Sequence, residues 1–234
     1  MPQSSKNAGQ RGSMAGQQQA VSPAAEYEQP DDTVQPDGRG TRTTNRQEME
    51  HRILVGAARL FRRKGFAGAT TRELAESLGL QRASLYHYLD SKQNLLFDMC
   101  VLSLETSKRG FEEAVKGAKD EDKLRAAVRG HISNMVENQD ANAVMMTEMR
   151  SLDAHRRQDV LALRADYDAG FRKIVRADQE AGRIRSDIND KYLTLMLLNL
   201  LNWTGFWYKQ SGPLNPGEMA DLLVTVFMEG ASTR

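Results

Sequence analysis

The chain lacks several patterns, and each absence removes a class of protein. Cys100 is the single cysteine, so no intrachain disulfide can form and a reducing, cytoplasmic setting is expected. The first residues hold no apolar segment of the kind a signal peptide needs. The longest apolar run, 192–201, is interrupted by Thr194 and Asn199. It reaches about half of the ~20 residues that cross a bilayer, so no membrane partner is expected. No stretch sustains the every-other-residue alternation of a half-buried strand. No nucleophile stands at a spacing that would pair it with a base, and no His/Cys/Asp/Glu group has metal-ligand spacing. A phosphate-cradling glycine loop is also missing. Neither an enzyme nor a cofactor or metal is expected.

What is present is enough apolar material for a packed core, 40% of 234 residues, and a strong helical period. Residues 1–44 are rich in Gln, Ser, Gly, Pro and Asp and nearly free of large apolar side chains. Such a segment cannot offset its ordering entropy, so a disordered tail is expected. From Asn45 onward the pattern gives nine helices, at about 46–64, 71–78, 82–88, 92–116, 121–138, 142–150, 155–181, 190–209 and 216–228. Gly65, Gly117, Gly182 and Gly230 mark helix ends, and Ser91, Asn189 or Asp190, and Asn215 are candidate caps. Net charge is +1, but it is unevenly spread: residues 45–92 hold nine Lys/Arg against five Asp/Glu. An excess of four positive charges there suits a phosphate-bearing partner.

That basic stretch contains the most informative segment, from Thr70 to Leu89. Thr70 followed by Glu73 is a capping box that starts a short helix. Leu78-Gly79-Leu80 forms a tight turn, and a short polar helix follows with Arg82, Ser84, Tyr86, His87 and Tyr88. A capped supporting helix and a short polar one make a helix-turn-helix, whose second helix enters a major groove. Thr70, Thr71 and Arg72 sit where unpaired amides and the helix dipole favour a phosphate. Tyr86 and His87 can donate to phosphate oxygens, which positions without reading sequence. Arg82 and Ser84 are the candidates for base edges, since Arg pairs with guanine O6 and N7. Tyr88 either touches DNA or packs against the first helix. Arg72 either meets phosphate or pairs with Glu76 four residues on.

The residues Gly65-Phe66, Thr70-Thr71-x-Glu73-Leu74-Ala75, Leu78-Gly79-Leu80, Ala83-Ser84-Leu85-Tyr86-His87-Tyr88 and Ser91-Lys92-x-x-Leu95-Leu96 resemble the TetR family of bacterial repressors. Leu89 departs conservatively from the phenylalanine more frequent there. The resemblance implies a homodimer that places one short helix in each half-site of a palindromic operator. It implies a phosphate-binding role for Lys92, and a C-terminal half that forms a ligand pocket and a dimer interface. Glu148-x-Arg150, Arg157, Arg164-x-x-Tyr167, Phe171-Arg172, Gly182-x-Ile184 and Asn202 to Tyr208 are similar to the acyl-CoA-responsive branch, which includes regulators of fatty-acid and steroid-ring breakdown.

Arg157, Arg164 and Arg172 recur at intervals of seven and eight, so they share one helix face. They could grip the phosphates of a CoA ester, or form a solvated face beside Asp159, Asp166 and Asp168. Met99, Leu102, Met135, Met145 and Met149, with Tyr167 and Trp203, are candidates for an apolar effector cavity, although methionines are also ordinary core residues. Helix eight is apolar nearly all round and needs cover on more than one side. Met196, Leu200, Phe206 and Trp207, with Leu222, Leu223, Val226 and Phe227 of helix nine, are the candidate dimer interface.

The expectation is an all-α protein. A tail covers 1–44, an N-terminal three-helix helix-turn-helix domain 45–91, and a six-helix ligand-binding and dimerisation domain 92–234. Its expected function is a dimeric repressor released from operator DNA by a small molecule, an acyl-CoA ester being one candidate. The alternative is a sensor of drugs or aromatic compounds that represses an efflux pump.

Overall fold

A computed structural model describes residues 40–231. These residues form nine α-helices and one short 3₁₀ turn, and no strand occurs among them. The first, α1 (Gly40–Gly68), begins six residues before the expected start, and Gly65 breaks its regular geometry with φ 71°. A left-handed residue there costs an L side chain but not glycine, and it turns the chain toward α2 (Thr71–Ser77). Residues 1–39 of the expected tail lie outside the described residues.

The next element, α3 (Arg82–Leu85), is a single turn and ends three residues earlier than expected. Residues 86–88 continue as a turn, closed by Leu89, whose side chain is buried. The long α4 (Lys92–Val115) follows, capped by Ser91, whose hydroxyl accepts from the Asn94 amide at 3.0 Å. The body continues through α5 (Lys123–Glu137), α6 (Gln139–Glu148), the 3₁₀ turn Met149–Ser151 and α7 (Ala154–Glu180). It closes with α8 (Asp190–Trp207) and α9 (Pro216–Ala231). The expected stop at Gly230 is overrun by a residue. Ala231 is buried, and its carbonyl accepts from the Arg185 amide at 2.7 Å, which holds the last turn in place.

Two buried clusters organise the packing. One fills the body between α4, α5, α7, α8 and α9, around Phe111, Val128, Phe171, Leu197 and Leu201. The helices α4 and α5 approach closely there, because a Cβ on Gly130 would stand 2.7 Å from the Gly110 carbonyl. The other cluster holds α1–α3 through Ile53, Phe61, Leu74 and Leu85. It runs on without interruption into Leu96 and Met99 of α4, Val144 of α6 and Val160 of α7. The first helix packs more extensively on α6 than on α2 or α4, and Arg62 on α1 pairs with Asp140 on α6 at 2.7 Å.

Candidate functional site

The reading head is assembled first by local hydrogen bonds. The Thr70 hydroxyl accepts from the Glu73 amide at 3.2 Å, and the Glu73 carboxylate accepts from the Thr70 amide at 3.0 Å. The reciprocal cap satisfies two amides that the start of α2 would otherwise leave open. Lys64 donates to the same carboxylate. This bond and the Thr70 contacts lower the Glu73 pKa to about 2, so Glu73 is ionised across the ordinary pH range. The head turn is therefore knit by charge as well as by the cap.

Three of the predicted DNA-facing side chains, Thr71, Arg82 and Tyr86, come together on this head. The Thr71 hydroxyl and the Tyr86 phenol are 3.1 Å apart, which links the start of α2 to the turn after α3. The Arg82 guanidinium lies 5.7 Å from the Tyr86 ring centroid. Arg72, Arg82, Tyr86 and His87 are exposed, and Ser84 is half-buried. Arg72 Nε donates to Glu76 at 2.8 Å, the neighbour that the i, i+4 spacing offered it. Tyr88 is half-buried against the head cluster, with the Arg46 guanidinium 5.9 Å from its ring.

Lys92 is placed differently from the rest. Its ammonium donates to the Ala69 carbonyl at 2.7 Å and sits 4.3 Å from the Phe66 ring centroid. Burial lowers its pKa, partly opposed by the charge of Glu148. The next two residues are also engaged: Gln93 donates to the Ser151 carbonyl at 2.9 Å, and the Asn94 amide oxygen accepts from Arg156. Three consecutive residues at the start of α4 thus bind the head, the 3₁₀ turn and α7. Sequence reasoning did not find this junction, because its partners lie 23 to 62 residues away. Helical periodicity carries no signal at that range.

The residues proposed for an effector are spread over several places. Met99 and Leu102 line a cleft of about 650 Å³ between α1, α4 and the α5–α6 corner. Met135 is buried where α5 meets Gly205 of α8, and Met145 and Met149 pack on the head-side cluster. Tyr167 is buried with Phe111 and Phe171, and its hydroxyl lies 2.8 Å from His131 Nδ1. Among the described residues the other ring nitrogen of His131 has no partner, and burial lowers the pKa of this histidine to about 4.

On α7, Arg157 is half-buried and Arg164 approaches Asp168 at 4.0 Å. Arg172 holds the buried Asp190 carboxylate with two bonds, at 2.9 and 3.0 Å, and Arg176 adds two more, at 2.6 and 2.9 Å. These bonds hold Asp190 far below the usual carboxylate range. The structure does not bring the α7 arginines together with Met99 and Leu102.

The α8–α9 pair exposes an apolar face. Trp203 is 63% exposed and Met196 60%, and Trp203 stacks on Phe206 with centroids 4.9 Å apart. Trp207, Leu222 and Val226 are exposed as well, while Leu200 and Phe227 are half-buried. Leu223 points into the body cluster instead. Tyr192 and Leu195 extend the exposed face; they were legible as members of the same all-round apolar helix. No helix among the described residues is long and apolar enough to cross a membrane, and none of their His, Cys, Asp and Glu side chains group as a metal site.

Comparison with known proteins agrees with this layout. Residues 53–99 match the profile of the bacterial regulatory proteins of the tetR family. Residues 117–231 match the tetracyclin repressor-like C-terminal domain. The HTH-type transcriptional repressor KstR2 of Rhodococcus jostii (strain RHA1) is 26% identical over 197 residues, 82% of this chain and 95% of that protein. The crystal structure of PfmR, a TetR family transcriptional regulator from Thermus thermophilus, is 30% identical with a TM-score of 0.71 and covers 78% of this chain and 100% of that one. AibR, solved in complex with isovaleryl coenzyme A and operator DNA, has the same fold, with a TM-score of 0.66 at 24% identity over 76% of this chain and 96% of that one.

Proposed function

Because the chain belongs to the TetR family of bacterial regulatory proteins, whose members are DNA-binding transcription regulators and not enzymes, we propose that it is a cytoplasmic repressor that grips a palindromic operator as a homodimer and lets go when a small molecule binds. The reading head carries this conclusion. What supports it is that Thr71, Arg82 and Tyr86 lie together and Arg72, Arg82 and Tyr86 are exposed, within a segment that is basic in an otherwise balanced chain. Arg82 and Ser84 read bases, and Thr70, Thr71, Arg72, Tyr86 and His87 meet phosphates.

Dimerisation uses the exposed apolar face of α8 and α9, which a lone protomer would leave in water. Two copies set face to face form a four-helix interface with Trp203, Phe206 and Trp207 as anchors. An acyl-CoA ester is the proposed effector class, by analogy with the isovaleryl coenzyme A of AibR. The junction at Lys92, Gln93 and Asn94 supports an effector-linked change in head position, since it fixes the start of α4 to both halves. A ligand shifts that position only by its preference for one arrangement over the other.

Selection from random duplexes with the purified chain tests the proposal. The expected product is an inverted repeat, with gel-shift complexes that dissociate on titration with acyl-CoA esters. Recovery of no enriched sequence, or of sequences without dyad symmetry, overturns it.

A further inference from the structure

One face of α1 carries a row of arginines. Arg52, Arg59 and Arg63 fall within ~40° of one another around the helix and span about 16 Å of its length. All three are exposed. They line a cleft of about 410 Å³ floored by Val55, Leu60 and Leu78, and no carboxylate lines it. Among the described residues Arg52 and Arg63 enter no ion pair. Arg59 has only Asp140, at 3.9 Å, a carboxylate that Arg62 already holds at 2.7 Å. In a chain with 31 acidic residues against 32 basic ones, such a wall calls for a partner of opposite charge.

The sequence supplies one beside the same helix. Residues 26–37 include Glu26, Glu28, Asp31, Asp32 and Asp37 and no Lys, Arg or His. Only Gly38 and Arg39 separate them from Gly40, where α1 begins. The reach also fits. Arg52 stands about 18 Å and Arg63 about 35 Å along the helix from Gly40. At ~3.3 Å per residue the chain running back from Gly40 extends about 26 Å at Asp32 and about 46 Å at Glu26. The two spans overlap, and Gly38 and Gly40 suit the reversal that brings them side by side.

We propose that the arginine wall of α1 is a docking surface for the acidic segment 26–37 of the same chain. Guanidinium forks suit carboxylates and keep their charge at any working pH. A segment so poor in apolar residues cannot fold alone, and the charged cleft gives it a partner. Exposed ion pairs are individually weak, but the tether holds both sides at about millimolar effective concentration, so weak pairs suffice. Arginines covered by the chain's own carboxylates are withheld from other polyanions. The segment is then a built-in competitor for duplex DNA of any sequence. That consequence rests on the DNA-binding function proposed above; the docking does not.

Gln29→Cys in the full chain, with a benzophenone on the new thiol, tests the docking in the absence of DNA. The native Cys100 is buried and its thiol is pushed up to about 12, so the label goes to the new cysteine. Irradiation is expected to join residue 29 to the 51–63 stretch of α1, or to Ser77 and Leu78, within one chain. Arg52→Gln with Arg63→Gln should lower that yield about fivefold, the loss of two exposed pairs, with an unchanged thermal midpoint. Glu28→Gln with Asp31→Asn and Asp32→Asn should do the same. Cross-links scattered over the surface, cross-links that join only separate chains, or a yield that the arginine substitutions leave unchanged overturn the proposal. On a random-sequence duplex, the chain with neutralised carboxylates should bind about fivefold more tightly than the unaltered one, and the arginine substitutions should remove that difference. An equal loss of duplex affinity from the arginine substitutions with and without the carboxylates assigns the wall to DNA and overturns the proposal too. A chain that cross-links as expected but binds no duplex would leave the docking standing and remove the repressor function.

Discussion

Lys92 places two demands on one amine. The family resemblance gives it a phosphate, yet the structure has it donating to the Ala69 carbonyl over the Phe66 ring. The two uses share the same neighbourhood, since Ala69 immediately precedes the cap of α2, where the phosphate contacts are proposed. Lys92→Ala therefore should weaken binding to the selected operator and to a scrambled duplex alike. Arg82→Ala should cost about 1–3 kcal/mol on the operator and relax its sequence preference. Gel shifts on both duplexes check the pair, and an unchanged preference in Arg82→Ala would remove Arg82 from base contact.

His131 supplies the acid sensitivity at this scale. Its folded pKa, about 4, lies below the unfolded value near 6.5. The unfolded chain thus binds the proton first, and stability present above about pH 6.5 declines as pH falls toward 4, by on the order of 2–3 kcal/mol. Urea midpoints across that range should fall with acidification, and His131→Asn should flatten the dependence. An identical slope in the variant would assign the loss to other groups.

At the scale of elements, the start signals were the most legible. Thr70 with Glu73, Ser91, and Asn215 with Glu218 all cap as their spacing suggests, the last with bonds of 2.8 and 3.0 Å. Caps are written in three or four adjacent residues, so a linear reading captures them. Ends set by tertiary contact were not legible. α3 stops at Leu85 although Tyr86, His87 and Tyr88 have no helix-breaking chemistry, because burial of Leu85 and Leu89 closes the turn. Arg172 likewise looked like one of a row of ligand cations, whereas its partner Asp190 stands 18 residues on, at the start of another helix. The close pass of α4 over α5 depends on two glycines that read in isolation as weak points. Gly130→Ala would set its Cβ 2.7 Å from the Gly110 carbonyl. It should destabilise the protein by about 1–3 kcal/mol, the usual range for overpacking. Denaturant titration measures this, and a gain in stability from better helix propensity would contradict the close pass.

For the molecule as a whole, the exposed apolar face of α8 and α9 is the proposed dimer interface. Trp203→Arg places a charge at the most exposed aromatic of that face and should yield monomers by sedimentation with unchanged helix content. Operator affinity should fall with it, since each head alone meets only one half-site. A variant that stays dimeric would move the interface elsewhere.

The cluster around Ile53, Leu74 and Leu85 has a further consequence. Its members continue into α4, α6 and α7, so one buried cluster spans head and body. Severing the chain after residue 91 would strip cover from Phe61, Leu60 and Leu74, so the DNA-reading portion should not survive as an autonomous fragment. Heating or denaturant should give one cooperative transition by both far-ultraviolet dichroism and tryptophan fluorescence. Limited proteolysis should release no stable piece from residues 45–91. The recognition unit is then not a detachable module but the near end of a single melting unit, and whatever loosens the body loosens its hold on DNA.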